Sequence, residues 1–393
     1  MATDNVKKMV GNIFNEIADA METGTFGAKV RVGLTTFGSE LGVENMVKGA
    51  EMAQKKSQAL EVVLIGPKTD SSLTQIVVDT EDQGYSEMER LLDSGELDAC
   101  VTLHYNFPIG VSTVGRVTTP GRGRDMIIAT TTGTSSAHRV EAMVKNGIYG
   151  IIAAKALGIK EPTVGILNVD GARQAERAFN ELSSKGYKIN ITESERADGG
   201  AVMRGNDLLT GTPDVMVTDT LTGNIIMKVF SSFMTGGSYE SVGYGYGPGI
   251  GEGYDRLVMI LSRASGVPVV ANAILYAAEL VQGEVQKVAK QEFEAANKAG
   301  LKEILASLSK ETKKEEVKEP AKAPDKEPVT GTIEGIDIME LEDAVQVLWE
   351  SGIYAESGMG CTGPIVMVNE TKIGDAVGVL SKSGYAVDQT ENC

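Results

Sequence analysis

The chain is predicted to be an α/β protein, with a body of parallel sheet and a small C-terminal α/β module on a charged linker. Three observations predict this. Short Val/Ile/Leu runs alternate with amphipathic stretches through most of the chain, the pattern of parallel strands buried on both faces between helices. From Ser309 to Pro328 the alternation stops, giving way to six lysines, six acidic residues and three prolines, with Val317 the one large apolar side chain. Beyond that segment the alternation resumes. So charged a stretch buries too little surface to offset its ordering entropy and reads as a solvated tether. The expected boundaries are a body over 1–308, a linker over 309–331 and a module over 332–393.

Each element follows from its residues. Residues 5–24 place Val6, Met9, Val10, Ile13, Ile17 and Met21 on one helical face. Val30–Leu34 is a strand and Glu44–Lys56 a helix; Glu61–Ile65 is a strand that stops at Gly66-Pro67. Glu87–Asp93 reads as a short helix, and Ala99–Leu103, Asp125–Ala129, Thr163–Asn168 and Val215–Thr218 as further strands. Past the tether, Met339–Glu350 is a helix, Pro364–Val368 a strand and Lys372–Ser381 a second helix. In sheets of this kind ligands bind beyond the carboxyl ends of the strands, so the loops after each strand hold the candidate site.

Composition narrows the function. A net charge of -17 argues against nucleic acid and anionic membrane surfaces, which call for clustered Lys and Arg. The N-terminus has no apolar signal core, and the longest apolar run, Val267–Val281, is too short to span a bilayer. Cys100, Cys361 and Cys393 form no disulfide framework and no zinc spacing, and with only His104 and His138 no metal is expected. These features point to a cytoplasmic protein with reduced thiols. Any anionic substrate must be held locally, by backbone N–H groups and a few chosen cations.

Four stretches could do so. Thr130-Thr131-Thr132-Gly133-Thr134-Ser135-Ser136 follows the strand ending at Ala129 and leads toward a helix near His138. Hydroxyls, a glycine and a helix N-terminus make an anion cradle, or else a cap and turn rich in hydroxyls. Asp219-Thr-Leu-Thr222-Gly223-Asn224 follows another strand and leads into a helix over Ile225–Phe233; it reads as capping chemistry or as a substrate-orienting turn. Gly243 to Gly253 sets six glycines at alternate positions, allowing close backbone approach to a ligand, lid motion or a loose connector. Leu261-Ser262-Arg263 reads as a helix end whose arginine could clamp a phosphoryl oxygen or simply favour the helix dipole; Arg116 carries the same ambiguity.

Cys361 is the sharpest feature. It lies in Gly358-Met-Gly-Cys-Thr-Gly-Pro364, inside the tethered module. A thiol is intrinsically nucleophilic, and flanking glycines let backbone N–H groups converge on it or on an acyl oxygen. The module has no histidine, so activation must come from dipoles or from a basic group elsewhere. A thiol on a mobile arm can carry a reactive group between two sites. Cys100, inside an apolar strand, is expected to be inert core, and Cys393 incidental.

Two stretches, Asn146 to Val169 and Thr212 to Lys228, resemble the phosphate acyltransferase that makes acyl phosphates for phospholipid synthesis. Leu261-Ser-Arg263 is similar to a triplet in phosphotransacetylases, where the Ser and Arg serve the acyl phosphate. The resemblance implies a two-domain, isocitrate/isopropylmalate dehydrogenase-like body of parallel sheets whose cleft holds phosphate and an acyl group. Two departures stand out: Asp170-Gly-Ala-Arg173 replaces a glycine-acid-acid-lysine run, and Val269 stands near the place of an aspartate after the Ser-Arg pair. Both weaken the case for coenzyme A or an acyl carrier protein as donor.

Body, tether and Gly-Cys module together resemble the alpha subunits of component C of glycine/sarcosine/betaine reductase. That family implies a hetero-oligomer with a component C beta subunit. It implies a selenoprotein component A whose carboxymethyl selenoether supplies an acetyl group, a thioester on Cys361, and release of acetyl phosphate by phosphate during amino-acid fermentation. Inorganic phosphate would be a substrate, and no cofactor is implied. Residues Thr131, Thr132, Gly133, Thr134, Ser135, Asp219, Thr222, Gly223, Asn224, Ser262 and Arg263 are the expected phosphate and acyl contacts, with Cys361 catalytic. The alternatives are a coenzyme A-dependent phosphate acyltransferase and a non-catalytic scaffold subunit.

Overall fold

The computed structural model describes residues 11, 14, 17, 29–196, 199–314, 321–337, 340–359, 364–385 and 387, without the side chains of 309–314 and 359. The helix expected over 5–24 therefore lies almost wholly outside the described residues. In chain order the body runs β1 (Val30–Thr35), α1 (Val43–Lys56), β2 (Leu60–Gly66), β3 (Thr74–Val77), α2 (Glu81–Asp93), β4 (Ala99–Thr102), β5 (Val111–Thr118) and β6 (Asp125–Thr134). It continues with α3 (Arg139–Ala156), β7 (Thr163–Leu167), α4 (Ala172–Ser184), β8 (Asn190–Ile191), β9 (Val202–Met203), α5 (Gly205–Thr210), β10 (Val215–Val217) and α6 (Thr220–Ser232). Strands β11 (Gly247–Ile250) and β12 (Val258–Ile260) precede helices α7 (Val267–Gln282), α8 (Val285–Lys298) and α9 (Leu301–Lys314).

These strands form one sheet in the order β3-β2-β1-β4-β12-β11-β5-β6-β10-β7-β8, with β9 also on β7. Its two flanks are parallel, as the apolar runs demand. Between them β11 and β5 pair antiparallel to their neighbours and join the flanks.

The centre of the sheet corrects three expectations. The hydroxyl run is not a loop opening a helix: β6 continues to Thr134, with Thr132 opposite Thr113 and Gly133 opposite Ser112 on β5. β-branched threonines suit a strand once a partner strand is supplied. The alternate glycines are neither lid nor loose connector over their middle, which is β11. A Cβ on Gly247 would lie 1.8 Å from the Val114 carbonyl oxygen, so glycine lets β11 press against β5. Leu261-Ser-Arg263 ends no helix; it leaves the carboxyl end of β12, a three-residue strand too short to register as one. Helix α7 absorbs the Val267–Val281 run, with Tyr276 fully buried. No helix among the described residues is long and apolar enough to cross a membrane.

The C-terminal module pairs β13 (Gly331–Ile333) and β14 (Ala355–Met359) with β15 (Pro364–Val368), packed on α10 (Leu341–Glu350) and α11 (Ile373–Lys382). Its core includes Ile333, Val345, Leu348, Val366 and Leu380. The expected free tether is shorter at both ends. Helix α9 runs on to Lys314, and residues 321–330 lie along the module. There Ala321 N–H donates to Gln346 Oε1 (2.6 Å), and ion pairs join Lys326 to Glu356 (3.2 Å) and Glu327 to Lys372 (2.5 Å). The charges that read as solvation are partly spent on docking.

The module also grips the body. Gly171 N–H, just before α4, donates to the buried Asp337 Oδ2 at 3.0 Å. Glu340 pairs with Arg177 at 2.5 Å and accepts from Gln174 at 3.0 Å.

Candidate functional site

A cleft of about 360 Å³ opens across the antiparallel strands that join the two parallel flanks. Its walls are built from segments that follow strands: His104 after β4, Ser262 and Arg263 after β12, and Asn224 and Lys228 on the helix after β10. Thr132, near the end of β6, faces the same space. A second hollow of about 280 Å³ shares His104, Thr132 and Ile260 and adds Gly133 and Thr134.

Helix α6 sets the geometry. It starts at Thr220, not Ile225, because Asp219 is its N-cap and accepts from the Thr222 amide (3.0 Å) and hydroxyl (2.6 Å). Burial acts to raise the Asp219 carboxyl, but the Thr222 bonds and Arg139 outweigh it and hold the group below the ordinary carboxylate range. Gly223 lets the helix touch β6: a Cβ there would lie 1.8 Å from the Thr130 carbonyl oxygen. Asn224 Nδ2 then donates to the Thr131 carbonyl at 3.0 Å and locks helix to strand.

The expected contact residues thus divide. Thr132, Asn224, Ser262 and Arg263 line the cleft, and Gly133 and Thr134 the adjoining hollow. The others build its walls. Thr131 is buried, its Oγ1 2.8 Å from the Tyr246 carbonyl and 2.8 Å from the Thr113 hydroxyl. Ser135 is buried and donates to Asn146 Oδ1 at 2.6 Å. Asp219, Thr222 and Gly223 fix α6. Arg116 is spent elsewhere, paired with Asp125 (2.7 Å) and Glu279 (2.6 Å) and stacked 4.1 Å from the Tyr244 ring centroid.

Sequence reasoning passed over Lys228 and Glu240. Lys228 Nζ stands 3.9 Å from Glu240 Oε1 and 5.5 Å from the centre of the Tyr246 ring. Burial acts to lower the Lys228 ammonium, but Tyr246 and Glu240 outweigh it and keep it protonated. Glu240 is only 3% exposed and accepts from Ser265 Oγ at 3.1 Å. Backbone bonds to Ala264 (2.9 Å) and Gly266 (2.8 Å) pin it behind the Ser262–Arg263 turn. Burial pushes its carboxyl above the ordinary glutamate range, against the pull of Ser262, Lys228 and Ser265. Lys228 was findable, since it lies one helical turn beyond Asn224; nothing in the local sequence marks Glu240.

Beside the Glu40 carboxylate and His104, the cleft therefore offers two cations, an amide and two hydroxyls, donors suited to an oxyanion on an acidic chain. Among the described residues no group of three or more His, Cys, Asp or Glu is placed to hold a metal. Cys361 and Cys393 lie outside the described residues. Met359 and Pro364, the described residues flanking Gly360–Gly363, are paired across β14 and β15. Cys100 is buried, its thiol pushed up to about 12 by burial, in keeping with inert core.

A family model described as fatty acid synthesis protein matches residues 30–367. The chain is 65% identical over 380 residues to the glycine/sarcosine/betaine reductase complex component C subunit alpha of Peptoclostridium acidaminophilum, covering 97% of this chain and 99% of that one. It is 25% identical over 228 residues to the phosphate acyltransferase of Thermotoga neapolitana, covering 51% of this chain and 68% of that one. In structure it is similar to a branched-chain phosphotransacylase from Enterococcus faecalis, with a TM-score of 0.43 and 14% identity over 64% of this chain and 99% of that one.

Proposed function

The chain belongs to the fatty acid synthesis protein family and, within it, with the component C alpha subunits of glycine/sarcosine/betaine reductase complexes; from that premise we propose that it transfers an acyl group to inorganic phosphate. The observation that carries this reading is the convergence of Lys228, Arg263, Asn224, Ser262 and Thr132 on one cleft. Phosphate sits among these donors, and Cys361 presents an acetyl thioester to it.

The chemistry balances without a cofactor. A phosphate oxygen attacks the thioester carbonyl, a C–O bond forms, and the C–S bond breaks with its electron pair leaving on sulfur. The products are acetyl phosphate and the Cys361 thiolate, which is both a good nucleophile and a good leaving group. Arg263 and Lys228 offset the charge of the incoming dianion, and fixing both reactants removes most of the bimolecular entropy term. The two-carbon unit arrives as a carboxymethyl selenoether on a selenoprotein component A, within an assembly that includes a component C beta subunit. The C–Se bond breaks as selenium and a second thiol are oxidised to a selenide–sulfide, the CH2 takes a proton, and one carboxylate oxygen leaves as hydroxide as the Cys361 thioester forms.

The test runs the transfer backwards. Labelled acetyl phosphate in phosphate-free buffer should leave one hydroxylamine-sensitive acetyl group on Cys361, and added phosphate should release it. Cys361→Ala should fold normally and take no label. Label on another residue, or undiminished acetyl phosphate formation by Cys361→Ala, overturns the assignment.

A further inference from the structure

Transfer of an acetyl group from sulfur to inorganic phosphate also moves a proton. Hydrogenphosphate loses one as its oxygen bonds to the carbonyl carbon, and the departing thiolate gains one. In the reverse direction the thiol must give up its proton before sulfur can attack. One base standing between the two can carry that proton both ways. The C-terminal module supplies no histidine, and the chain has two in all.

The cleft holds one of them. His104 follows β4, is exposed, and lines both the cleft and the adjoining hollow beside Thr132 and Ile260. His138 precedes α3 and lines neither. The other titratable groups around His104 do not suit the task. Arg263 stays protonated. Burial acts against the charge of Lys228, but Tyr246 and Glu240 outweigh it. Burial pushes the Tyr105 and Tyr246 hydroxyls up. Glu40 is a carboxylate, too weak a base for a thiol, and Glu240 is shut in behind the Ser262–Arg263 turn. An imidazole alone exchanges its proton near neutral pH.

The docked module brings its hairpin to the same edge of the sheet. Gly171, which donates to Asp337, follows β7, and β7 stands two strands from β6. Neighbouring strands lie about 4.8 Å apart, so the strands that lead to the docking point and to Thr132 are separated by about 10 Å. Within the module, Ser357 Oγ donates to Glu342 Oε1 at 2.5 Å. That bond sets the far part of β14 beside the start of α10, the end that Glu340 fastens to Arg177.

We propose that His104 is the general base that carries the proton between phosphate and the Cys361 sulfur. As the C–O bond forms, the imidazole takes the proton of the attacking oxygen. As the C–S bond breaks, the imidazolium returns it to sulfur. Atoms and charge balance: hydrogenphosphate and thioester become acetyl phosphate and thiol. This role rests on the proposed acyl transfer.

Labelled acetyl phosphate, mixed with the full chain at a series of pH values, gives the rate at which Cys361 takes label. In the unmodified chain that rate should rise between about pH 5 and 8, where an imidazole loses its proton. His104→Gln should label about 100- to 10,000-fold more slowly and without that rise. Its thermal melt should be unchanged, since His104 is exposed. Added imidazole should restore part of the rate in His104→Ala. An unchanged rate in His104→Gln overturns the role. So does a slower rate that keeps the same rise with pH and gains nothing from imidazole in His104→Ala. Absence of label on Cys361 in the unmodified chain overturns the acyl transfer itself, and this role with it.

Discussion

Lys228 Nζ stands 3.9 Å from Glu240 Oε1, coupling a cation that lines the cleft to a carboxylate almost closed off from water. Burying a carboxylate costs several kcal/mol unless partners compensate it. Here Lys228, Ser265 and Ser262 share that task. The pair fixes where the ammonium sits relative to the Ser262–Arg263 turn, from a position that is itself almost wholly buried.

Two substitutions separate the roles of this pair. Lys228→Gln removes a charge-assisted contact worth about 1.5–3 kcal/mol, so phosphate affinity should fall by about 10- to 150-fold. Glu240→Gln keeps an acceptor for Ser265 and removes a negative charge near the anion, so affinity should hold or rise. Titration calorimetry with phosphate decides. Wild-type affinity in Lys228→Gln would remove that side chain from the anion site.

The same carboxylate leaves a signature in stability. Its folded-state pKa lies above the ordinary 4.5, because burial outweighs its partners. The folded chain therefore holds this proton more tightly than the unfolded chain does. Glu240 contributes stability below 4.5 and loses that contribution as pH rises through the folded value. Denaturant unfolding from acid toward neutral pH should show a smaller decline in Glu240→Gln than in the unmodified chain. Parallel curves would mean that the carboxyl titrates as an ordinary one.

Docking of the module rests on a few polar contacts. Gly171 N–H is held by Asp337, and Arg177 by Glu340, whose side chains are 36% and 14% exposed respectively for the ion pair. A half-solvated pair of this kind contributes about 1 kcal/mol at most. Arg177→Glu should loosen the module, and adding Glu340→Arg should restore it. Hydrogen exchange at the Gly171 amide reports the docked fraction. Exchange that is equally slow in Arg177→Glu would show that the ion pair does not hold the module.

The parallel flanks were legible because apolar runs such as Val30–Leu34, Glu61–Ile65 and Thr163–Asn168 carry their own signal, and the observed strands start within a residue of them. The middle of the sheet was not. Ser112, Thr113 and the alternate glycines of β11 carry little apolar signal, since their burial comes from pairing with distant strands. Missing β5 made the threonines of β6 look like a loop. In the cleft, Thr132 and Asn224 could be singled out because each follows an apolar run that reads as a strand, and Ser262 and Arg263 because their triplet resembles one in phosphotransacetylases. Thr131 and Ser135 have the same chemistry, but strand alternation and local hydrogen bonds turn them inward. Glu240 lies twelve positions beyond Lys228, past the end of α6, a proximity that only tertiary packing creates.

Gly223 offers a test of how closely the site depends on backbone contact. Alanine there would put a Cβ 1.8 Å from the Thr130 carbonyl oxygen, and backbone on that side cannot yield. Helix α6 must lift off β6, breaking the bond from Asn224 to the Thr131 carbonyl and displacing Lys228 one turn further on. Overpacking of this kind costs about 1–3 kcal/mol. Gly223→Ala should therefore melt earlier and bind phosphate more weakly, although it removes no polar group. Gly378, on α11 of the module, has open space around it, so Gly378→Ala should stabilise by about 0.5–1 kcal/mol through helix propensity and leave phosphate binding alone. Calorimetric melts and phosphate titrations of the two variants give the comparison. If Gly223→Ala keeps full phosphate affinity, the cleft does not depend on the seating of α6 against β6.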